Sequence, residues 1–408
     1  METLNFVIVG HIDHGKSTLI GRLLYDTDSL APDKIEEIRN SSEELGKDTE
    51  FAYLLDHLEE ERQQGITIET TQVFFKSGGR EYVIIDAPGH VEFVKNMITG
   101  ASHAEAAVLL IDAAEGVKEQ TKRHTYLLSL LGIKQIIVLI NKMDLVGYSE
   151  ETFRSIKEKI EKFLAGIGME GAFYIPISAL KGENVTKTSK EIPWYKGPAF
   201  LGSLSSLKVE KSEEEKPLLF PVQDVYKIED KRVTVGRVEA GVIKKGQTIK
   251  ILPHEQTTKV KTIEKYPFVV NESSSGESIG ITTEDRVFLD RGDIVCAEGE
   301  EPRFTDSFYA NIVWLSKKDF SKDEKLIIKC ATQETTCRIE EIKERINSST
   351  LEVVEENASG LKNLEVGEVL IKTKKPIAVK TFSDVQELGR FVLVKDENTC
   401  AGGIVTSL

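Results

Sequence analysis

The stretch Gly10-His11-Ile12-Asp13-His14-Gly15-Lys16-Ser17-Thr18 constrains this chain more than any other. It follows an apolar run, residues 6–9, that reads as a strand. It precedes a helical pattern with Leu19, Ile20, Leu23 and Leu24 on one face. A strand, a glycine-bounded loop ending Gly-Lys-Ser and a helix together make the setting of a P-loop. Loop amides and the helix N-terminus present positive partial charge to phosphate. In that geometry Lys16 reaches the β- and γ-phosphates of a nucleoside triphosphate, and the Ser17 hydroxyl ligates Mg²⁺.

Strand candidates at 6–9, 70–75, 82–85, 107–111, 136–140 and 173–177 alternate with helical patterns up to residue 207. The clearest helix runs over 150–164, with Phe153, Ile156, Ile160, Phe163 and Leu164 at helical spacing. Ser149 is its expected N-cap, and Glu150 and Glu151 suit the positive end of the dipole. The pattern predicts a doubly wound, mostly parallel α/β domain over 1–207. Ser77-Gly78-Gly79-Arg80 predicts a hairpin that adds one antiparallel strand. A charged linker follows at 208–217. Short alternating strands then predict one β-barrel over 218–300 and a second over 301–408, with Gly299-Glu300-Glu301-Pro302 at the boundary.

Three further motifs stand where predicted strands end. Asp86-Ala87-Pro88-Gly89-His90 closes the 82–85 strand, placing Asp86 to hold Mg²⁺ through water and the Gly89 amide to touch a γ-phosphate. Asn141-Lys142-Met143-Asp144 closes the 136–140 strand. The Asp144 carboxylate can accept from the N1 and N2 donors of guanine, which adenine lacks. Ser178-Ala179-Leu180 closes the 173–177 strand, with the Ala179 amide expected to donate to guanine O6. Ligands of open α/β sheets bind at the carboxyl ends of strands. The four motifs together predict GTP and GDP rather than ATP.

Composition sets outer bounds. Apolar residues make up 40% of the 408 residues, and charged residues 29%, ordinary values for a folded soluble chain. No apolar run reaches 18 residues, so a membrane span is not expected. The first strand begins too close to Met1 for a signal peptide. Cys296, Cys330, Cys337 and Cys400 form no C-x-x-C pair and read as reduced thiols of a cytoplasmic protein. A net charge of −14 weighs against wholesale nucleic-acid binding. His11 and His14 have an H-x-x-H spacing, but they lie inside a loop committed to phosphate. His57, His103, His124 and His254 read as isolated structural residues. Gly241 to Gly246 has P-loop glycine spacing without the Lys-Ser that would hold phosphate.

With these motifs in place, the chain resembles the elongation factor Tu and elongation factor 1-alpha GTPase superfamily. Glu60-Glu61-Arg62-Gln63-Gln64-Gly65-Ile66-Thr67-Ile68 is similar to that superfamily's first switch, which implies that Thr67 is a second Mg²⁺ ligand. The resemblance also implies that His90 orients the attacking water, that Ile12 and Ile66 gate it, and that Lys16 and Asp13 belong to the catalytic centre. A monovalent cation near Asp13 is a further implication.

Within the superfamily, several runs resemble the GTPase subunit of bacterial ATP sulfurylase (sulfate adenylyltransferase subunit 1). They are Leu19-Ile20-Gly21-Arg22-Leu23-Leu24-Tyr25-Asp26-Thr27, Phe220-Pro221-Val222-Gln223 and Asp290-Arg291-Gly292-Asp293. Val394 and Asn398 stand where elongation factors carry arginines. Asp13-His14 instead looks like the elongation-factor form of the loop. The sulfurylase resemblance implies a smaller catalytic partner subunit and no tRNA, ribosome or membrane. The alternative is an elongation-factor-like carrier of aminoacyl-tRNA.

Overall fold

The computed structural model describes residues 3–30, 71–86, 104–208, 213–228, 231–322 and 324–408. The chain divides into two compact units, Met1–Glu210 with Ser348–Thr350, and Lys211–Asn347 with Leu351–Leu408.

The first unit is built on six strands: β1 (Thr3–Gly10), β2 (Thr71–Ser77), β3 (Arg80–Asp86), β4 (Ala106–Asp112), β5 (Gln135–Asn141) and β6 (Gly171–Pro176). They lie in the order β2-β3-β1-β4-β5-β6. All neighbours are parallel except β2 and β3, which form the expected hairpin. Ser77 pairs with Arg80 across a two-residue turn, where Gly78 and Gly79 have φ of 59° and 81°. Both angles are positive, as a type I′ turn requires, and glycine adopts them without strain.

The central strands are apolar on both faces because helices cover the sheet. β4, for example, is buried along its whole length. Helices α1 (Lys16–Asp26), α2 (Glu119–Leu130), α3 (Glu150–Gly166) and α4 (Phe200–Ser206), with a short 3-10 helix at Met143–Val146, complete the described part of this unit. α3 starts as the sequence predicts: Ser149 accepts the Thr152 amide, and Phe153, Ile156, Ile160 and Leu164 are buried. No described helix is long and apolar enough to cross a membrane.

The second unit consists of two barrels. In the first, antiparallel strands run in the order 248–252, 294–297, 219–228, 231–237, 278–283, 256–265, 268–270, and the 248–252 strand also pairs with 256–265 to close the sheet. In the second barrel the order is 326–330, 390–395, 398–407, 303–314, 365–379, 333–347, 353–356, closed by pairing of 326–330 with 333–347. Leu219, Ala240, Leu252, Ile294 and Cys296 of the first barrel join one apolar cluster with Phe308, Ile328 and Leu388 of the second. All four cysteines are free and buried. Burial pushes the Cys330 and Cys337 thiols up to about 12, so they stay protonated and inert.

Candidate nucleotide-binding site

The site forms where β1, β3, β4, β5 and β6 end. Gly10 closes β1 against β4, where a Cβ would lie 2.7 Å from the Leu110 carbonyl oxygen. The loop then turns through Asp13 (φ 61°) and Gly15 (φ 90°), and Gly15 caps α1. Asp13 and Gly15 therefore make the turn that aims the first amides of α1 outward, as an anion-binding helix terminus requires. Lys16 opens α1. Its ammonium folds back over the loop and donates to the Gly10 and His11 carbonyls, both at 3.1 Å. Burial pushes its pKa down, while Asp86 and Asp13 pull it up. Asp86 ends β3, 3% exposed and in register with Ile8 of β1. Ser17 and Thr18 follow Lys16 in the first turn of α1, half-buried.

His14 serves as an internal support. It is fully buried, and Nδ1 lies 3.1 Å from the Leu110 carbonyl. The same nitrogen lies 3.4 Å from the Asp112 amide. Burial lowers the His14 pKa and keeps the ring neutral. His11, half-buried, meets the His14 ring edge to face at 5.3 Å. Ile12 is also half-buried. Among the described residues there is no group of three or more His/Cys/Asp/Glu that could hold a metal ion.

Asn141, at the end of β5, joins the phosphate loop to the base loop. Its Nδ2 donates to the His14 carbonyl at 2.8 Å, and its Oδ1 accepts the Ala179 amide at 2.9 Å. The amide expected to donate to guanine O6 therefore lies against Asn141. Ser178 is buried and pairs with Glu183, closing a tight loop that leaves Leu180 exposed. Lys142 has a left-handed backbone (φ 59°), and Met143 is fully buried with its amide on the Ile177 carbonyl at 3.1 Å. These anchors present Asp144, whose Oδ1 is buried without a hydrogen-bond partner among the described residues. A buried, unsatisfied carboxylate oxygen is costly. A donor group on a bound ligand would satisfy it.

Other supports carry no motif signal. The Trp194 indole donates to the Tyr148 carbonyl at 2.9 Å and packs at a tilt against Phe153, steadying the segment that follows Asp144. Asp26 holds the Arg22 guanidinium at 2.9 Å and accepts the Thr186 hydroxyl at 3.0 Å, tying α1 to the loop after β6. Thr67, Ala87, Pro88, Gly89 and His90, with Ile66, His57 and His103, lie outside the described residues.

His124, expected to be isolated and structural, bears on stability. It is fully buried on α2 with neither ring nitrogen partnered among the described residues. Burial first, then the charges of Lys16 and Arg123, push its pKa down to about 3. The unfolded chain takes a proton here near pH 6.5, and the folded chain does not until about pH 3. Stability from this residue is therefore complete above pH 6.5 and is lost as pH falls towards 3. Between pH 7 and 5 the expected loss is about 2 kcal/mol. His124→Phe should remove that share of the loss in urea unfolding at the two pH values; equal losses in both proteins would refute the assignment.

A phosphate loop tipped by Lys16, an acid at the end of β3 and an asparagine-braced Asp144 loop define the G domain of a P-loop GTPase. Comparison with known proteins narrows the class. The model of the elongation factor Tu GTP binding domain matches residues 1–227, elongation factor Tu domain 2 matches 231–296, and a GTP-eEF1A C-terminal domain-like family matches 307–406. The chain belongs to the elongation factor Tu and elongation factor 1-alpha GTPase superfamily, which implies guanine nucleotide binding, typically with Mg²⁺.

It is 38% identical to an elongation factor 1-alpha of Methanocorpusculum labreanum, over 99% of this chain and 97% of that protein. The elongation factor 1-alpha of Thermoplasma acidophilum is 40% identical, over 98% and 96%. Sulfate adenylyltransferase subunit 1 of Tolumonas auensis is 38% identical, over 96% and 83%. Among solved structures, sup35 complexed with GMPPNP aligns at 24% identity with a TM-score of 0.46, over 100% of this chain and 94% of that one.

Proposed function

We propose that this chain is the GTPase subunit of a heteromeric sulfate adenylyltransferase. GTP hydrolysis here would drive a partner subunit to form adenylyl sulfate and pyrophosphate from ATP and sulfate. Lys16 and the loop 10–18 hold the phosphates, Asp144 reads guanine, and Asn141 couples the two loops. Ser17 and Thr67 would ligate Mg²⁺, and Asp86 would hold it through water; the ion would offset charge on the β- and γ-phosphates. His90 orients the attacking water, with the Gly89 amide on the γ-phosphate.

The observation that carries the choice of partner is the hairpin 390–407. Val394 is buried, and the Asn398 side chain is spent on the Asp396 carbonyl at 2.8 Å. Lys395 is paired with Glu324, and Asp396 and Glu397 are exposed at the turn. This tip offers RNA phosphate two carboxylates and a neutralised lysine, which weakens RNA affinity through the phosphate contribution. The Tolumonas auensis relative supports the same reading. The elongation-factor reading is favoured by the elongation factor 1-alpha relatives and by Asp13-His14.

One assay separates them. Sulfate-dependent pyrophosphate release from ATP, measured with a co-expressed catalytic subunit, should rise when GTP is added and fall back with a non-hydrolysable analogue. Retention of aminoacyl-tRNA in the GTP state, without sulfate-dependent activity, would decide for the alternative.

A further inference from the structure

Asp112 is the last residue of β4 and stands in register beside Asn141 on β5. Its side chain is 3% exposed, inside a G domain whose neighbouring positions are apolar. A carboxylate removed from water needs several polar partners, and this one has three. Oδ1 accepts the Ala114 amide at 2.7 Å and the Glu115 amide at 3.3 Å. Oδ2 holds the Lys142 ammonium at 2.9 Å. Burial raises the Asp112 pKa, but Lys142 and the two amides outweigh it and keep the group ionised, below the usual carboxylate range.

Lys142 lies between Asn141, which braces the phosphate loop, and the segment that presents Asp144. Its left-handed backbone and its anchored ammonium fix both ends of the side chain. The side chain is still 31% exposed, two residues before Asp144. We propose that Asp112 is a positioning residue of the guanine site: it holds Lys142 so that the alkyl stem forms a standing wall of the base pocket. This rests on the guanine-nucleotide reading of that site.

The physical gain is preorganisation. A free lysine has many rotamers to lose when a ligand orders it, whereas one already tethered loses few. The wall meets the base, which GTP and GDP share. Asp112 should therefore set the affinity for both alike and leave their ratio unchanged.

Asp112→Asn isolates the tether. The amide oxygen can still accept from Ala114 and Glu115, but an NH₂ now faces the Lys142 ammonium, and donor meets donor. Fluorescent GDP and GTP titrations should show both affinities about tenfold weaker, through faster dissociation. Asp112→Ser, which is too short to reach Lys142, should give the same loss and covers the case in which the asparagine variant does not fold.

In a Lys142→Met background, which keeps an unbranched stem without the charge, adding Asp112→Asn should change GDP affinity by less than about twofold. Wild-type affinity in Asp112→Asn would overturn the proposal and leave the nucleotide reading standing. An equal loss in both backgrounds would make Asp112 a merely structural residue and overturn it as well. A wild-type chain that does not bind GDP would overturn both readings.

Discussion

Gly15→Ala is expected to lower GDP affinity about a thousandfold while leaving the fold intact. Gly15 has φ 90°, a conformation that costs an alanine about 1–2 kcal/mol. The larger effect comes from where the methyl would go. A Cβ on Gly15 would lie 2.6 Å from Asn141 Nδ2. That amide is the brace between the two halves of the site, bonded to the His14 carbonyl and, through Oδ1, to the Ala179 amide. Asn141 is 2% exposed and cannot step aside into solvent. Displacing it leaves buried polar groups unpaired at about 1–3 kcal/mol each. The free site relaxes out of this arrangement and nucleotide must restore it, so the strain and lost bonds, about 4 kcal/mol together, fall on affinity as the thousandfold.

A suitable control is Gly78→Ala, in the β2–β3 turn. There φ is 59° but nothing lies within 4 Å of the added methyl, so only strain remains. Isothermal titration of GDP against both variants, with circular dichroism to confirm folding, would check the contrast. Nucleotide affinity in Gly15→Ala equal to that of Gly78→Ala would show that the Asn141 brace is not needed.

What could be read from the residues alone follows from the range of the interactions concerned. The P-loop, the six strands of the first unit and the Ser149 cap rest on neighbouring residues, so local pattern and turn chemistry suffice to find them. The positions of Asp144 and Asn141 were legible for the same reason, since each lies just beyond an apolar strand. Asp112 was not: within Ile111-Asp112-Ala113 an acid at a strand end carries no signal, and its partner Lys142 comes from the adjacent strand through the register of β4 and β5.

His124 and His14 show a related limit. Sequence spacing discounts a metal pair at His11 and His14 and reads His124 as isolated, without saying what either buried ring meets. Burial and the position of the Leu110 carbonyl decide their roles, and both depend on tertiary packing. The contact of the Ala179 amide with Asn141 likewise joins two strand ends that are far apart in the sequence. The shared apolar cluster of the two barrels has the same origin, because alternation along a strand marks an inward face without saying what lies opposite.

Asp144→Asn should invert nucleotide preference from guanine to xanthine. Asp144 Oδ1 is buried and unpartnered among the described residues, and the loop around it is rigidly held. The Met143 amide bonds the Ile177 carbonyl, the Tyr148 amide bonds the Met143 carbonyl, and Trp194 closes on the Tyr148 carbonyl. Such a loop has little freedom to find a new arrangement, so a change of donor and acceptor at this one side chain passes directly to the ligand.

A carboxylate accepts from both N1 and N2 of guanine through charge-assisted bonds worth about 1.5–3 kcal/mol each. The asparagine amide would set a donor against the exocyclic amine, and GTP affinity should fall at least a hundredfold. Xanthine carries a carbonyl at that position, so the same amide accepts from N1 and donates to O2. Xanthosine triphosphate should therefore bind the variant more tightly than GTP does. Competition of the two nucleotides against a fluorescent probe, on wild-type and variant protein, measures the inversion. A variant that keeps GTP selectivity would remove Asp144 from the base site. Weakened binding of both nucleotides without inversion would mean that the side chain supports the loop and does not read the base.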